Sequence, residues 1–327
     1  MRICVFGAGA VGGHFAVRLA AAGHDLSVVA RGAHLAAIRT RGMTLLSGGG
    51  RLHARVAASD DPATLGAQDV VLVTVKAHQL PEFAAAAPAL FHRDSVVIFA
   101  QNGIPWWYVD GLASRERMPP GLSLLDPDNA LRRAVGIGRT LGGVIYSSND
   151  QAEPGVIVNN SPSRNRLSIG EVDDGDTARV ALLRALFGAA EIDSPPVARL
   201  RQNVWEKLVA NLSVSILSFL AGTSSRNVFD DRWLRPVADR LGAEAIAIAA
   251  AYGYVCHPDE KGPSGHHKSS ILQDYERGRQ SEFAALLDAP LAFAQAAGIA
   301  TPVLDTIAAL ARQKSDTGYA PVETIDC

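Results

Sequence analysis

Cysteine is scarce. Three residues, Cys4, Cys256 and Cys327, are spread over 327 positions. They are too few and too scattered for a disulfide framework or a cysteine zinc site, and they suit a reduced, cytosolic protein. An excess of charge of either sign is missing too. Lys and Arg number 31 against 33 Asp and Glu, for a net charge of -2, and no long basic run occurs. That balance argues against a nucleic-acid partner, because neutralising phosphates takes clustered cations. A membrane span is not expected either. The most apolar stretch, LVANLSVSILSFLAG at 208–222, carries an asparagine and three serines. It is shorter than the roughly 20 apolar residues of a span and is expected to be a buried helix. Met1-Arg2 runs straight into ICVF and glycines, which is too short and too broken for the core of a signal peptide. Hydrophobic residues nevertheless make up 48% of the chain, enough for a substantial core in one large or two ordinary domains.

What is present is an alternation of apolar strands and helical stretches. Arg2–Phe6 is rich in β-formers and stops at Gly7; a helical pattern follows through Ala22 and ends at Gly23. Leu26–Ala30 reads as the next strand, 32–41 as a helix, and 43–57 as a hairpin around Ser47-Gly48-Gly49-Gly50, where positive φ costs little. Asp69–Val75 and Ser95–Ala100 are continuous apolar runs flanking a helical stretch at 79–90. Such strands predict a parallel sheet covered on both faces. Residues 104–134 are irregular and rich in Pro, Trp and Gly. The runs 140–147, 155–159 and 167–170 are expected to extend the sheet in another direction, followed by a helix at 176–188. Ser194-Pro195-Pro196 reads as a linker. Beyond it nearly everything is helical: 197–221, 232–252, 268–275, 281–297 and 302–314. The expectation is an α/β domain over 1–196 and an all-helical domain over 197–327, with the last dozen residues loose.

The stretch Gly7-Ala8-Gly9-Ala10-Val11-Gly12 is G-x-G-x-x-G, placed between a strand and a helix and followed by a second strand. That context gives the motif its meaning as a dinucleotide fingerprint of a Rossmann-type domain. Gly7 permits the tight turn, Gly9 lets the backbone approach a pyrophosphate, and Gly12 lets helix and strand pack closely. The helix start offers free N–H groups to the phosphates. Arg31 follows Gly12 by 19 positions, where a carboxylate selective for NAD usually stands, and no acidic residue lies between Leu26 and His53. A guanidinium fork matches a 2′-phosphate, so NADP(H) is the predicted cofactor. The plainer readings are a glycine turn without a ligand and a solvated surface arginine.

Further candidates are polar residues in telling places. Lys207, Asn211 and Ser215 fall at i, i+4 and i+8, on one face of a helix whose neighbouring positions 208, 209, 212, 214, 216 and 217 are Leu, Val or Ile. Such a stripe is either a buried site or a structural hydrogen-bond ladder. Lys76 and Asn102 each follow a strand at its C-terminal end, where open α/β sheets place ligands. On its own, Glu282 reads as a solvated helix residue, and Ser269-Ser270 as a helix cap. His257, His266 and His267 lie in HPDEKGPSGHHK, with no cysteine or carboxylate pattern to complete a metal site, and are read as part of a solvated loop. Trp106-Trp107-Tyr108 suits a substrate cleft, a partner surface or plain packing.

Six stretches in order resemble the ketopantoate reductase family (2-dehydropantoate 2-reductases). They are GAGAVGG at 7–13, ARG at 30–32, VKAHQ at 75–79, QNG at 101–103, WEKLVAN at 205–211 and KSSILQD at 268–274, with Glu282 beyond. The resemblance implies a Rossmann domain and a helical domain with the active site in the cleft between them. It implies that Arg31 holds the 2′-phosphate and that Lys76 lies near the cofactor. Asn102 would lie near nicotinamide and substrate. Lys207 would be the catalytic lysine, with Asn211 the helix asparagine beyond it. Ser270 would help bind the substrate carboxylate, and Glu282 would be the active-site glutamate. Ser215 stands where the family often has a second asparagine. Ala284, Leu287 and Asp288 replace the aspartate and the Asn-Gly pair usual after the glutamate in reductases of ketopantoate. These departures bear on the substrate more than on the reaction.

Reducing a 2-keto acid needs a fixed hydride path, a proton for the carbonyl oxygen and a held carboxylate. Lys207 is the candidate donor, assisted by Glu282. The expected function is NADPH-dependent reduction of a 2-keto acid, first of all ketopantoate to pantoate, towards pantothenate and coenzyme A. The alternatives are action on a different small carbonyl or hydroxy acid, and a non-catalytic NADP(H)-binding sensor. The Ala-rich helical domain offers a face for a homodimer.

Overall fold

A computed structural model of the chain describes residues 1–112, 117, 119–258, 262–263 and 265–318. It divides into two compact units, Met1–Val204 and Trp205–Cys327.

The first unit begins with β1 (Arg2–Phe6), α1 (Ala10–Ala21), β2 (Asp25–Val29), α2 (Gly32–Arg41), β3 (Met43–Ser47), β4 (Gly50–Ala54) and β5 (Ala57–Ser59). It continues with β6 (Gln68–Val73), α3 (Leu80–Ala86), β7 (Phe91–Phe99), α4 (Ala130–Ala134) and β8 (Thr140–Ile145). Last come β9 (Asn149–Glu153), β10 (Val156–Asn159), β11 (Leu167–Glu171) and α5 (Ala178–Ala189). The main sheet has the order β11-β8-β7-β6-β1-β2-β5. All its pairings are parallel except β11 on β8. Its central strands bury almost every residue, as strands covered on both faces must. The chain passes from β1 to β2 and β5 on one side and returns to β6 on the other. The order therefore reverses beside β1, and the crevice beyond its C-terminal end is where such sheets bind ligands.

A second sheet, β4-β3-β10-β9, lies against α1. Its hairpin pairs Ser47 with Gly50 and turns on Gly48 and Gly49 at φ 57° and 80°, as the glycine cluster predicts; two positive φ values mark a type I′ turn. Here the strand expectations need correction. The run at 155–159 joins this second sheet, and β8 extends the main sheet in its existing direction; only β11 reverses. β9 was not expected because NDQAE has no apolar run to bury, and β5 because it is three residues long.

Trp106, Trp107 and Tyr108 are core residues, each almost wholly buried. Trp106 meets Phe99 edge-on at 5.2 Å. The Arg201 guanidinium, itself 1% exposed, lies over Trp107 and Tyr108, donates to the Tyr108 carbonyl at 3.0 Å and faces Asp174 at 3.7 Å. Packing is the use the fold makes of that aromatic cluster.

The second unit is helical. Its elements are α6 (Leu200–Ala210, starting in the first unit), α7 (Ile216–Ala221), α8 (Ser225–Asp230), α9 (Arg235–Ala251), α10 (Ser270–Glu276), α11 (Ala289–Ala297) and α12 (Pro302–Asp316). Wide π-type turns at Asn211–Ser215 and Ala284–Asp288 interrupt the helices and pack against each other. Trp205 anchors the core, stacked on Tyr252 and Tyr254 and edge-on to Phe293 at 5.5 Å. Only α8, a short helix capped by Ser224, was not expected. The continuous helix Leu200–Ala221 is long and apolar enough for a membrane span by composition, yet half of its most apolar window is buried inside the protein. His266 bonds Asn227 at 3.0 Å. Residues 259–261 and 264 of the histidine-bearing loop, and 319–327 of the segment expected to be loose, lie outside the described residues.

Candidate active site

Each glycine of the fingerprint meets a different constraint. Gly7 adopts φ 102°, and a Cβ there would run into Val75. A Cβ on Gly12 would collide with the Gly7 carbonyl and the Thr74 hydroxyl. Gly9 has nothing within 4 Å of where its Cβ would be. The backbone at Gly9 is thus open to an approaching ligand, while Gly7 and Gly12 shape the turn. Gly7 and Ala8 N–H groups donate to the Val29 carbonyl at 3.1 Å each, which fastens the loop to the end of β2. Gly9 is the N-cap of α1, no side chain caps it, and the first turn holds no acid. The N–H groups of Ala10, Val11 and Gly12 therefore point out of the helix start without intrahelical acceptors, with the positive end of the helix dipole behind them. This is a fitting cradle for a dinucleotide's phosphates.

Arg31 is the N-cap of α2, two residues beyond β2. Its side chain is exposed and forms an ion pair with Glu82 in the first turn of α3, at 2.5 Å. Lys76 follows β6 and is half-buried; its N–H donates to the Gln79 side chain at 3.2 Å. Asn102 follows β7 and is half-buried. Lys76 and Asn102 thus stand beyond the C-terminal ends of neighbouring strands, on the β6 side of the glycine loop.

Three braces of this unit were not singled out in the sequence. Thr74 donates from its hydroxyl to the Gly7 carbonyl at 2.8 Å. The Gln101 amide donates to the carbonyls of Val73 and Val75 at 2.9 and 3.2 Å, holding the segment that leads to Lys76. His34 Nε2 donates to the Ala8 carbonyl at 2.7 Å, so its Nδ1 is left to accept the Gly155 N–H at 3.0 Å. Burial lowers the His34 pKa, against the opposing pull of the Ala8 bond. All three act on main-chain groups, which leave no mark in a residue pattern. Only the position of Gln101 inside QNG hinted at a role.

In the helical unit, Lys207 is half-buried on α6. Asn211 and Ser215 open and close the first π-type turn. A step of four residues in an α-helix overshoots a full turn by about 40°. A turn widened to i→i+5 bonding reduces that drift, which keeps Ser215 closer to the line of Lys207 and Asn211. Ser269, not Ser270, caps α10, accepting from the Leu272 N–H at 3.3 Å; its hydroxyl also donates to the Ser215 carbonyl at 3.1 Å. Ser270 is exposed beside it. Glu282 is only 8% exposed, so the solvated reading fails; it lies two residues before the second π-type turn. Of the departing residues, Ala284 is half-buried, Leu287 is wholly buried, and Asp288 pairs with Arg312. In this unit the turn holding Asn211 and Ser215 neighbours α10, which begins at Ser270, and the second π-type turn, which Glu282 precedes by two residues. The glycine loop, Arg31, Lys76 and Asn102 belong to the other.

Comparison with known proteins follows the same division. The sequence profile of the ketopantoate reductase PanE/ApbA family matches residues 3–174, and the profile of that family's C-terminal part matches residues 199–315. The 2-dehydropantoate 2-reductase of Mesorhizobium japonicum is 37% identical over 321 residues, covering 96% of this chain and 97% of its own. The crystal structure of a PanE/ApbA family ketopantoate reductase from Ralstonia eutropha superposes with a TM-score of 0.80 at 26% identity, covering 97% of this chain and 99% of the other. A D-mandelate dehydrogenase solved with NADH and anilino(oxo)acetate gives a TM-score of 0.80 at 17% identity, covering 97% and 99%. At that identity the likeness is one of fold.

Proposed function

This chain belongs to the ketopantoate reductase family, oxidoreductases acting on CH–OH groups, and on that footing we propose that it reduces ketopantoate to pantoate with NADPH. The observation that carries the cofactor side is the pairing of an open Gly9 at an uncapped, acid-free helix start with Arg31 at the end of β2. Bound NADPH supplies a hydride for the carbonyl carbon. The chain's own residues do the rest. Arg31 holds the 2′-phosphate and the glycine loop binds the pyrophosphate, with Lys76 and Asn102 towards the reacting end. Lys207 gives a proton from its ammonium to the carbonyl oxygen as negative charge develops there, and water restores that proton afterwards. Asn211, Ser215 and Ser270 orient the substrate, so that its carbonyl cannot turn away. Glu282, a buried carboxylate, positions Lys207 or a substrate hydroxyl. We further propose a cytoplasmic protein that pairs with a second copy through its helical unit. The described cysteines, Cys4 and Cys256, are free and buried; the scarcity of cysteine over the whole chain is what suits that compartment.

A second reading, reduction of another 2-keto acid, draws on Ala284, which stands half-buried where a carboxylate is usual. Leu287 gives it no support: it is wholly buried and belongs to the packing of the helical unit. Turnover of NADPH against a panel of 2-keto acids separates the readings. Ketopantoate should give the highest kcat/KM; if a simpler or bulkier analogue reacts faster, the substrate named here is wrong.

A further inference from the structure

The partner of Arg31 carries information about how the cofactor is selected. Two contacts join the side chains: one terminal guanidinium nitrogen donates to one Glu82 oxygen at 2.9 Å, and the other meets the second oxygen at 2.5 Å. The carboxylate thus occupies the fork that planar recognition of a phosphate requires. The two residues come from opposite sides of the glycine loop. Arg31 follows β2 and Glu82 lies in the helix after β6, and β2 and β6 are the two neighbours of β1. The ion pair therefore bridges strand neighbours across the crevice into which an adenosine ribose must fit. Both side chains are about half exposed, 54% and 53%, so the pair is weak enough to open.

We propose that Glu82 is a specificity-determining residue that competes with the 2′-phosphate for Arg31. This rests on the reading above, in which Arg31 is the phosphate-binding residue. A 2′-phosphorylated dinucleotide must displace the carboxylate from the guanidinium, and the displaced carboxylate still lies on a neighbouring helix, where it repels the dianion. A dinucleotide with a free 2′-hydroxyl asks for neither. Glu82 accordingly weakens binding of NADPH and leaves binding of NADH nearly untouched. The preference for NADPH is held below what Arg31 alone would give.

The test is binding of NADPH and NADH, followed by cofactor fluorescence, to the full-length wild type and to Arg31→Ala, Glu82→Gln and Glu82→Ala. Glu82→Gln keeps the shape of the side chain, and Glu82→Ala checks that the amide introduces no new bond. Both Glu82 variants should bind NADPH about threefold to tenfold more tightly, with NADH changed less than twofold, and the gain should shrink as salt is raised, because exposed charges are screened. An unchanged ratio of the two affinities in both variants overturns the proposal. So does weaker NADPH binding, which would make Glu82 an orienting partner of Arg31. Arg31→Ala separates the two levels of the argument. If it loses NADPH selectively while the Glu82 variants change nothing, only the competition is wrong. If it weakens both cofactors alike, the phosphate role of Arg31 falls and the competition falls with it.

Discussion

Arg31 stood out in the sequence because of what surrounds it. A carboxylate is missing over the whole stretch from Leu26 to His53, so a cation stands past the end of β2, where an NAD-selective carboxylate is usual. Its partner Glu82 lies 51 positions away, and nothing in the local pattern of either residue announces the pair. The same holds for Thr74, Gln101 and His34, whose partners are carbonyls and N–H groups of distant main chain. Lys207 and Asn211 drew notice for the opposite reason, since polar groups at helical spacing on an apolar helix need an account of their own. Arg31→Ala should raise the Kd for NADPH by about 10- to 100-fold, the scale of charged hydrogen bonds to one phosphate, and change the Kd for NADH by less than about threefold. Arg31→Lys should restore part of the loss, as a point charge without the fork. Equal losses for both cofactors in a calorimetric titration would remove Arg31 from the phosphate.

Among the elements, the glycine loop shows how one motif divides its labour. Gly12 is excluded from substitution by backbone, because a Cβ there meets the Gly7 carbonyl itself. Gly9 has room, and what it protects is the approach of a ligand. Gly12→Ala should therefore cost about 1–3 kcal/mol in stability, as overpacking does, visible as a lowered urea midpoint. Gly9→Ala should leave that midpoint where it is while weakening NADPH and NADH alike by about tenfold or more, since the pyrophosphate is common to both. Similar midpoints for the two variants would contradict this assignment. Continuous apolar runs made β1, β2, β6 and β7 readable. The elements that escaped had no such run, as with the polar β9, or too few residues, as with β5 and α8. The π-type turn at Asn211–Ser215 escaped as well. Its residues are ordinary for a helix, and the elements it packs against, α9 and a second such turn more than 70 residues on, are distant in sequence.

For the molecule as a whole, the order of an α/β unit and then a helical one was legible from the change in periodicity after Pro195-Pro196. The compact division itself falls at Val204/Trp205. The first turn of α6 packs with the α/β unit: Leu200 lies where a Cβ on Gly142 or Gly170 would be, and Arg201 is buried on Trp107 and Tyr108. Those partners are too distant in sequence for a local pattern to show. The α/β unit is also tied together by a buried imidazole. His14 on α1 donates from Nε2 to the Asn165 side chain at 2.5 Å and accepts from the Asn159 amide at 3.3 Å through Nδ1. Burial, chiefly, lowers its pKa to about 4, against an unfolded value near 6.5. The native state thus keeps His14 neutral while the unfolded chain takes up a proton. Its contribution is complete above pH 6.5 and is lost as the pH falls from there towards 4, by about 3 kcal/mol in all. Urea midpoints measured between pH 7 and 4.5 should fall with the pH in the wild type and fall less steeply in His14→Gln. Equal slopes would contradict the neutral imidazole.

The central claim is that Lys207 delivers the proton to a keto acid reduced by NADPH. Single-turnover oxidation of bound NADPH by ketopantoate, in the wild type and in Lys207→Ala, tests it most directly. The account predicts a rate about 100-fold or more slower in the variant with the Kd for NADPH unchanged. A variant that turns over at the wild-type rate would contradict it.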